Sequence, residues 1–324
     1  MSEINPPERD LPEVTGDVGG ILVEEHLAPP DSPADASTPR TLWGDAWYDL
    51  RRSSMFWVSA VLLFFVALMV LFPYFLADQD RTSSLAGGCN LSNSLLPPSS
   101  EHWFGTDQLG CDVYSLTIFG ARPSVAVGVI SALLTTFLGA VVGLVSGFYG
   151  GVLDSVLSRI VDIFFGLPLL VVAIAVLSSL NLPGIWGVVL VLSILAWVTA
   201  ARLVRSQTIE AKSQDYTTAA RALGASNARL MLRHILPNAI SPSITLAVIS
   251  LGVFISAEAT FSFLGVGIRP PAFSWGTMIS ESQPVFFQAP WTLLFPAFFL
   301  SMTVLAFILL GDAISEALDP KLRR

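Results

Sequence analysis

The side chains able to do chemistry in this 324-residue chain are few. His26, His102 and His234 fall at none of the spacings, such as HExxH or CxxC, that gather zinc ligands. No GxxxxGK[ST] stretch occurs, so no P-loop of this chain can cradle nucleotide phosphates. What remains is one carboxylate, Glu258, inside an apolar block, and a cysteine pair, Cys89 and Cys111, in one polar stretch. A third feature is an arginine-bearing stretch, Asp215 to Asn238, set between two uncharged blocks. A carboxylate within a span must face a lumen or pair with a neighbour. The arginine-bearing stretch also carries Ala219, Ala220 and Gly224, whose near absence of side chain lets another protein approach the backbone. This chemistry is that of contact and passage, not of bond-making, and the chain is not expected to be an enzyme.

The elements that must position these residues are membrane spans. The chain is 53% hydrophobic and 13% charged, with mean hydropathy +0.66, far from a soluble globular balance. Its formal charge of −8 says little about partners, because residues 1–40 hold nine acidic side chains against Arg9 and Arg40. That segment is rich in Pro, Asp, Glu and Ser, has no aromatic residue, and reads as a disordered, acidic cytoplasmic tail. Trp43, Trp47 and Tyr48, just before Arg51-Arg52, read as interface anchors and inside-facing positive charge.

Met55 to Ala77 carries no charge over 23 residues, enough for one crossing of a core about 30 Å thick. A cleaved secretory signal would lie nearer the N-terminus and end in a small-residue site, so residues 55–77 read as the first transmembrane helix. Residues 78–122 form a polar, extracytoplasmic segment, and a second uncharged block runs from Pro123 to Leu153. Charge-free sequence from Ile163 to Ala201 is cut into two spans by Asn181-Leu182-Pro183-Gly184. A fifth span runs from about Ala239 to Gly267 around Glu258, and a sixth lies within Ser282 to Gly311. Six spans with both termini inside leave only Arg81, Arg122 and Arg269 outside, the asymmetry of the positive-inside rule. Gly128, Gly139, Gly143, Gly147, Gly150 and Gly151 are read as close helix packing in lipid.

Between the fourth and fifth spans, Tyr216, Ala219, Ala220 and Leu223 fall at i, i+3, i+4 and i+7, one stripe of an amphipathic helix. Gly224 is placed to stop that helix in a left-handed conformation, Ser226 to cap a second short helix, and Pro237 to end it. The alanine pair, Gly224 four residues after it and Leu236-Pro237 twelve and thirteen further on together resemble the EAA loop of ATP-binding-cassette importer permeases. The glutamate that gives the loop its name is Thr218 here.

The stretches FGTDQLGCDVYSLTIFGARPSV (104–125), GFYGGVLDSVLSRIVDIFFGLP (147–168), FSFLGVGIRPPAFSWG (261–276) and GDAISEALDPKLRR (311–324) resemble the C-type permease of dipeptide and oligopeptide importers. The resemblance implies an all-α fold like that of type I importer permeases, six transmembrane helices with a cytoplasmic coupling helix. It implies a permease core over 123–311, a coupling loop over 207–238, and a cytoplasmic C-terminus over 312–324. Tyr216, Ala219, Ala220, Arg221, Leu223, Gly224 and Ala225 would contact the ATPase. The implied partners are a homologous B-type permease, two ATPase subunits and an extracytoplasmic peptide-binding protein in the inner membrane of a prokaryote, with no nucleic acid. No cofactor belongs to this chain, and ATP and Mg would sit on the ATPase subunits. Relatives of this family also carry nickel chelates. A secondary transporter would need more ionisable groups than Glu258 along its pathway.

Cys89 and Cys111 are the only cysteines, and the topology puts both in the same extracytoplasmic segment, where oxidation is permitted. Cys111 also stands where the resembling stretch has arginine. The expectation is a Cys89–Cys111 disulfide.

Overall fold

A computed structural model describes residues 42–82, 89–180, 184–269 and 272–318. The acidic segment 1–40, the turn residues 181–183 and the basic C-terminal Lys321, Arg323 and Arg324 lie outside the described residues. Described regular structure is helical apart from one isolated bridge between Thr106 and Asp112. In chain order the helices are α1 (Leu42–Arg52), α2 (Ser54–Leu71), α3 (Pro73–Leu76), α4 (Val113–Tyr149), α5 (Gly151–Phe165), α6 (Leu169–Leu180) and α7 (Ile185–Ser213). There follow α8 (Asp215–Ala222), α9 (Asn227–Arg229), a π-helical turn (Leu230–Ile235), α10 (Leu236–Ala239), α11 (Ser241–Phe263), α12 (Trp275–Ser282) and α13 (Trp291–Leu318).

Five helices, α2, α4, α7, α11 and α13, are each long and apolar enough to cross a membrane, and α5 with α6, bent by 84° at their break, passes the same test only as a pair, which makes six if the pair is one span. Within the charge-free block that begins at Ile163 the chain also breaks at Gly166–Pro168, where proline has no N–H for a continuing helix. Residues 113–122, the end of the expected polar segment, are already the first turns of α4. Charge-free counting stopped at Arg122, yet this arginine sits inside the helix with its charge satisfied. Its Nε donates to Val70 O at 2.7 Å and its Nη2 to Leu71 O at 3.3 Å, capping the last carbonyls of α2. Pro73 ends α2 earlier than Ala77, and α13 runs past Gly311 to Leu318.

The bundle is held by close backbone approach. On α4, Gly139, Gly143 and Gly147 recur every four residues and so face one way, against α7. A methyl group at Gly143 would lie 2.5 Å from Ala201 O and 2.8 Å from Arg205 N. At Gly139 it would lie 2.4 Å from the Cβ of Ala200. Without a hydrophobic drive between helices in lipid, this is how two helices gain enough contact to associate. Gly150 and Gly151 are different: nothing lies within 4 Å, and their positive φ makes the turn from α4 to α5. At 37 residues α4 is about 55 Å long, well beyond a core of about 30 Å, and its ends stand clear of the lipid.

Beyond one end of the bundle, residues 89–112 fold back on the start of α4. Asp112 caps that helix, its Oδ2 accepting from Ser115 N at 3.0 Å, while His102 Nδ1 lies 3.1 Å from its Oδ1. Trp291 Nε1 donates to Thr106 O at 3.3 Å and ties the segment to α13. Cys89 and Cys111 are bridged, with Cα atoms 4.2 Å apart and 22 residues between their numbers. In the chain-entropy model a loop of this size is stabilised by about 3 kcal/mol on bridging. Replacing both cysteines by serine is thus expected to speed amide exchange across 89–112, leaving that of α7 and α11 unchanged. Exchange unchanged in the loop would mean that its hydrogen bonds alone hold it.

Candidate functional site

At the other end of α4, α7 leaves the bundle and turns into α8. Asp215 stands in the first turn of α8, where a negative charge suits the helix dipole. Thr217 is buried, and its Oγ1 donates to Ala211 O at 2.8 Å, so the new helix is tied back to the old one. The C-terminus of α8 closes as a Schellman motif: Ala225 N donates to Ala220 O at 3.1 Å and Gly224 N to Arg221 O at 3.0 Å. Gly224 has φ +85°, and a Cβ there would meet nothing within 4 Å. Backbone conformation, not crowding within this chain, demands the glycine.

The stripe expected from the sequence divides. Ala220 and Ala225 turn inward, half-buried against Leu230, Ile235 and Ala239. Tyr216, Thr218, Ala219, Arg221 and Leu223 remain exposed, and Leu223 shows 89% of its surface. Leu232 is also exposed on the return. Seven residues expected to act alike are therefore two groups, one holding the loop's shape and one presenting its surface.

Ser226 caps α9 as expected, accepting from Arg229 N at 3.4 Å. The expected ending at Pro237 is corrected. Pro237 lies in the first turn of α10, where its missing N–H is no loss, and the chain carries on to α11. The π-helical turn before it is what joins them. Its i→i+5 pattern brings Leu230 and Ile235, five residues apart and both fully buried, to one face. Asn238 Nδ2 then donates to His234 O at 2.8 Å and to Tyr216 OH at 3.3 Å, closing the loop on itself.

The loop is also bolted to the bundle by charge. Arg205 on α7 grips Asp154 on α5 with two bonds, Nε to Oδ1 at 2.6 Å and Nη2 to Oδ2 at 2.7 Å. Ser146 and Ser158 hydroxyls donate to the same carboxylate. Lys212 Nζ donates to Phe148 O at 2.6 Å, at the end of α4. Bidentate geometry fixes direction as well as distance. The end of α7, from which α8 departs, is thereby tied to both α4 and α5. Sequence reading missed this joint, since its partners lie 51 residues apart with no local spacing to mark them.

The third candidate, Glu258 on α11, is 0% exposed and points into the bundle. Its Oε1 accepts from Ser262 Oγ and from Ser274 Oγ, each at 2.7 Å. Ser274 begins α12 with a reciprocal cap to Thr277, a short-range signal that was open to sequence reading. Near the far end of α12, burial pushes the Asp107 carboxyl above its ordinary range against backbone N–H bonds from Cys111 and Leu109. Burial, and then the charge of Asp107, does the same to Glu281.

Two family descriptions match this chain: binding-protein-dependent transport system inner membrane component over residues 139–324, and N-terminal transmembrane domain of oligopeptide transport permease C over 41–98. The dipeptide transport system permease protein DppC of Bacillus subtilis (strain 168) is 38% identical over 281 residues, covering 86% of each chain. The oligopeptide transport system permease protein OppC of the same organism is 37% identical, covering 88% of this chain and 91% of its own. The glutathione transport system permease protein GsiD of Escherichia coli O157:H7 is 37% identical, covering 88% and 92%. Among solved structures, the inward-facing MetNI methionine ABC transporter is similar with a TM-score of 0.52 at 21% identity, over 63% of this chain and 96% of that one. That last likeness speaks to fold alone.

Proposed function

The chain belongs to the family of inner-membrane components of binding-protein-dependent transport systems, and from this premise we propose that it is the permease subunit of an ATP-driven peptide importer. It forms half of the translocation pathway, and a homologous permease forms the other half. Two ATPase subunits, carrying ATP and Mg, drive it from the cytoplasm, and an extracytoplasmic peptide-binding protein delivers the cargo. The peptide assignment is supported by the relatives, whose names give dipeptide, oligopeptide and glutathione transport.

The single observation that carries the mechanical part is the build of the 207–238 loop. It presents exposed Leu223, Tyr216 and Ala219 on a helix closed at its C-terminus and tied through Thr217 to the end of α7, which Lys212 joins to α4. Alternating access needs such a rigid element to turn ATPase closure into helix movement. The cytoplasmic placement of this loop, of the 1–40 tail and of the 312–324 end is supported by the clustering of basic residues from Arg202 to Arg233 on one side.

The test is purification of the complex, reconstitution into vesicles and identification of the solute taken up. ATP-dependent uptake of short peptides that requires the binding protein is the expected result. Uptake of a nickel chelate and no peptide would overturn the cargo assignment, and ATP-independent flux would overturn the importer reading. A maleimide label that reaches a cysteine at position 223 from the binding-protein side would reverse the orientation.

A further inference from the structure

Glu258 takes no part in the coupling surface, yet it is the most completely buried carboxylate among the described residues. The helix it holds, α12, is only eight residues long; Ser280 Oγ donates to Phe263 O at 2.9 Å toward its far end, and the longer-range bonds to α4 and to Glu258 gather at its beginning. There Ser274 donates to Glu258, Trp275 N donates to Ser124 Oγ at 3.2 Å, and Trp275 Nε1 donates to Thr117 O at 2.9 Å. Gly276 is pressed so closely on α11 that a Cβ would lie 2.6 Å from the Cα of Ala259. The far end is held differently. Gln283 is exposed, Glu281 keeps part of its side chain in solvent beside Asp107, Gln108 Nε2 donates to Glu281 O, and a cavity of about 380 Å³ lies between that end and Leu109, Val113 and Leu116.

We propose that Glu258 is the positioning residue of a latch. It seats α12 across the binding-protein end of α4 and α11, and the joint opens and closes as the pathway alternates. This rests on the transport reading above. Neutral hydroxyls and small residues are enough to glue helices in lipid, whereas a carboxylate there is costly. A carboxylate accepting two short O–H bonds in a dry setting gives something that packing does not, a directional joint with distinct made and broken states. The Ser124 hydroxyl of α4 lies beside the same carboxylate, so one group gathers α4, α11 and α12. Ser262 Oγ relays the joint further, accepting from Ile268 N at 3.0 Å in the loop that leads to α12.

The experiment uses the whole complex in vesicles, with wild type as reference. Glu258→Gln keeps an acceptor for both serines and is expected to transport within about twofold of wild type. Glu258→Leu is expected to keep hydrolysing ATP while peptide moved per ATP falls at least tenfold, because an unseated α12 no longer closes the pathway. A role in folding alone predicts instead that hydrolysis and transport fall together with the amount of assembled complex, and that result overturns the latch. In a second variant Ser262→Cys and Ser274→Cys are combined, both positions meeting at one Glu258 oxygen. Oxidation is expected to bridge them and arrest transport reversibly, with identically treated wild type unaffected. A bridged complex that transports normally, or cysteines that fail to bridge, would refute a moving joint of this geometry. Failure of the importer reading is separate, since it would appear as wild type that moves no peptide.

Discussion

Replacing Leu223 by aspartate is expected to leave the permease folded in the membrane and to reduce ATP-driven uptake at least a hundredfold. Leu223 is 89% exposed and follows the last turn of α8, so nothing within the chain depends on its side chain. In the proposed coupling surface the same leucine would be an apolar anchor against an ATPase subunit, where an unpaired carboxylate buried in its place costs about 3–5 kcal/mol. Each 1.4 kcal/mol is tenfold in association, so about 3 kcal/mol gives the hundredfold. Two other substitutions suggested by the sequence are less clean. Gly224→Trp forces a bulky residue to φ +85°, and Ala220→Asp places a charge against the Leu230 and Ile235 cluster, so either can disturb the loop before a partner is involved. The measurement is uptake alongside ATPase activity in vesicles holding equal amounts of complex. Undiminished uptake by Leu223→Asp would remove this surface from coupling.

The largest structural effect is expected from Gly143→Leu, which should prevent α4 and α7 from packing and leave no stable permease. A methyl group alone would meet the backbone of Ala201 and Arg205 at 2.5 and 2.8 Å, and backbone cannot step aside as a flexible side chain can. Overpacking costs about 1–3 kcal/mol where the core can shift. Here the cost should exceed that range, because α4 and α7 share their longest contact along this glycine row. Gly166→Ala is the control: its Cβ would have neighbours no nearer than 3.5 Å, at φ −73°. Thermal unfolding in detergent should show Gly143→Leu absent or strongly destabilised and Gly166→Ala near wild type. A Gly143→Leu protein that melts like wild type would mean that the helices meet elsewhere.

The Glu258 latch and the Leu223 surface lie at opposite ends of α11 and α7, and the Arg205–Asp154 joint stands nearer the second. In the proposed mechanism a movement begun at α8 would reach α12 through whole helices. That is consistent with rigid-body alternation and with the fully buried, tightly packed faces of α4 and α7.

Composition and the lengths of uncharged runs determined that this chain crosses a membrane several times, and roughly where. Those properties depend on transfer from water to lipid, which is summed residue by residue. Turn chemistry was equally legible at Gly224 and Ser226, since a positive φ or a helix cap is decided by a few neighbouring residues. Boundaries were misplaced wherever a distant partner changed a local rule. Arg122 enters α4 because the carbonyls of Val70 and Leu71 receive it, while Pro237 is tolerated locally, in a first helical turn that needs no N–H from it. Only tertiary structure separated Ala220 from Leu223 on one apparent stripe, because burial depends on where α8 meets Leu230 and Ile235. Only tertiary structure joined Arg205 to Asp154 and Glu258 to Ser274, for a hydrogen bond is set by distance in space and residue order does not encode it.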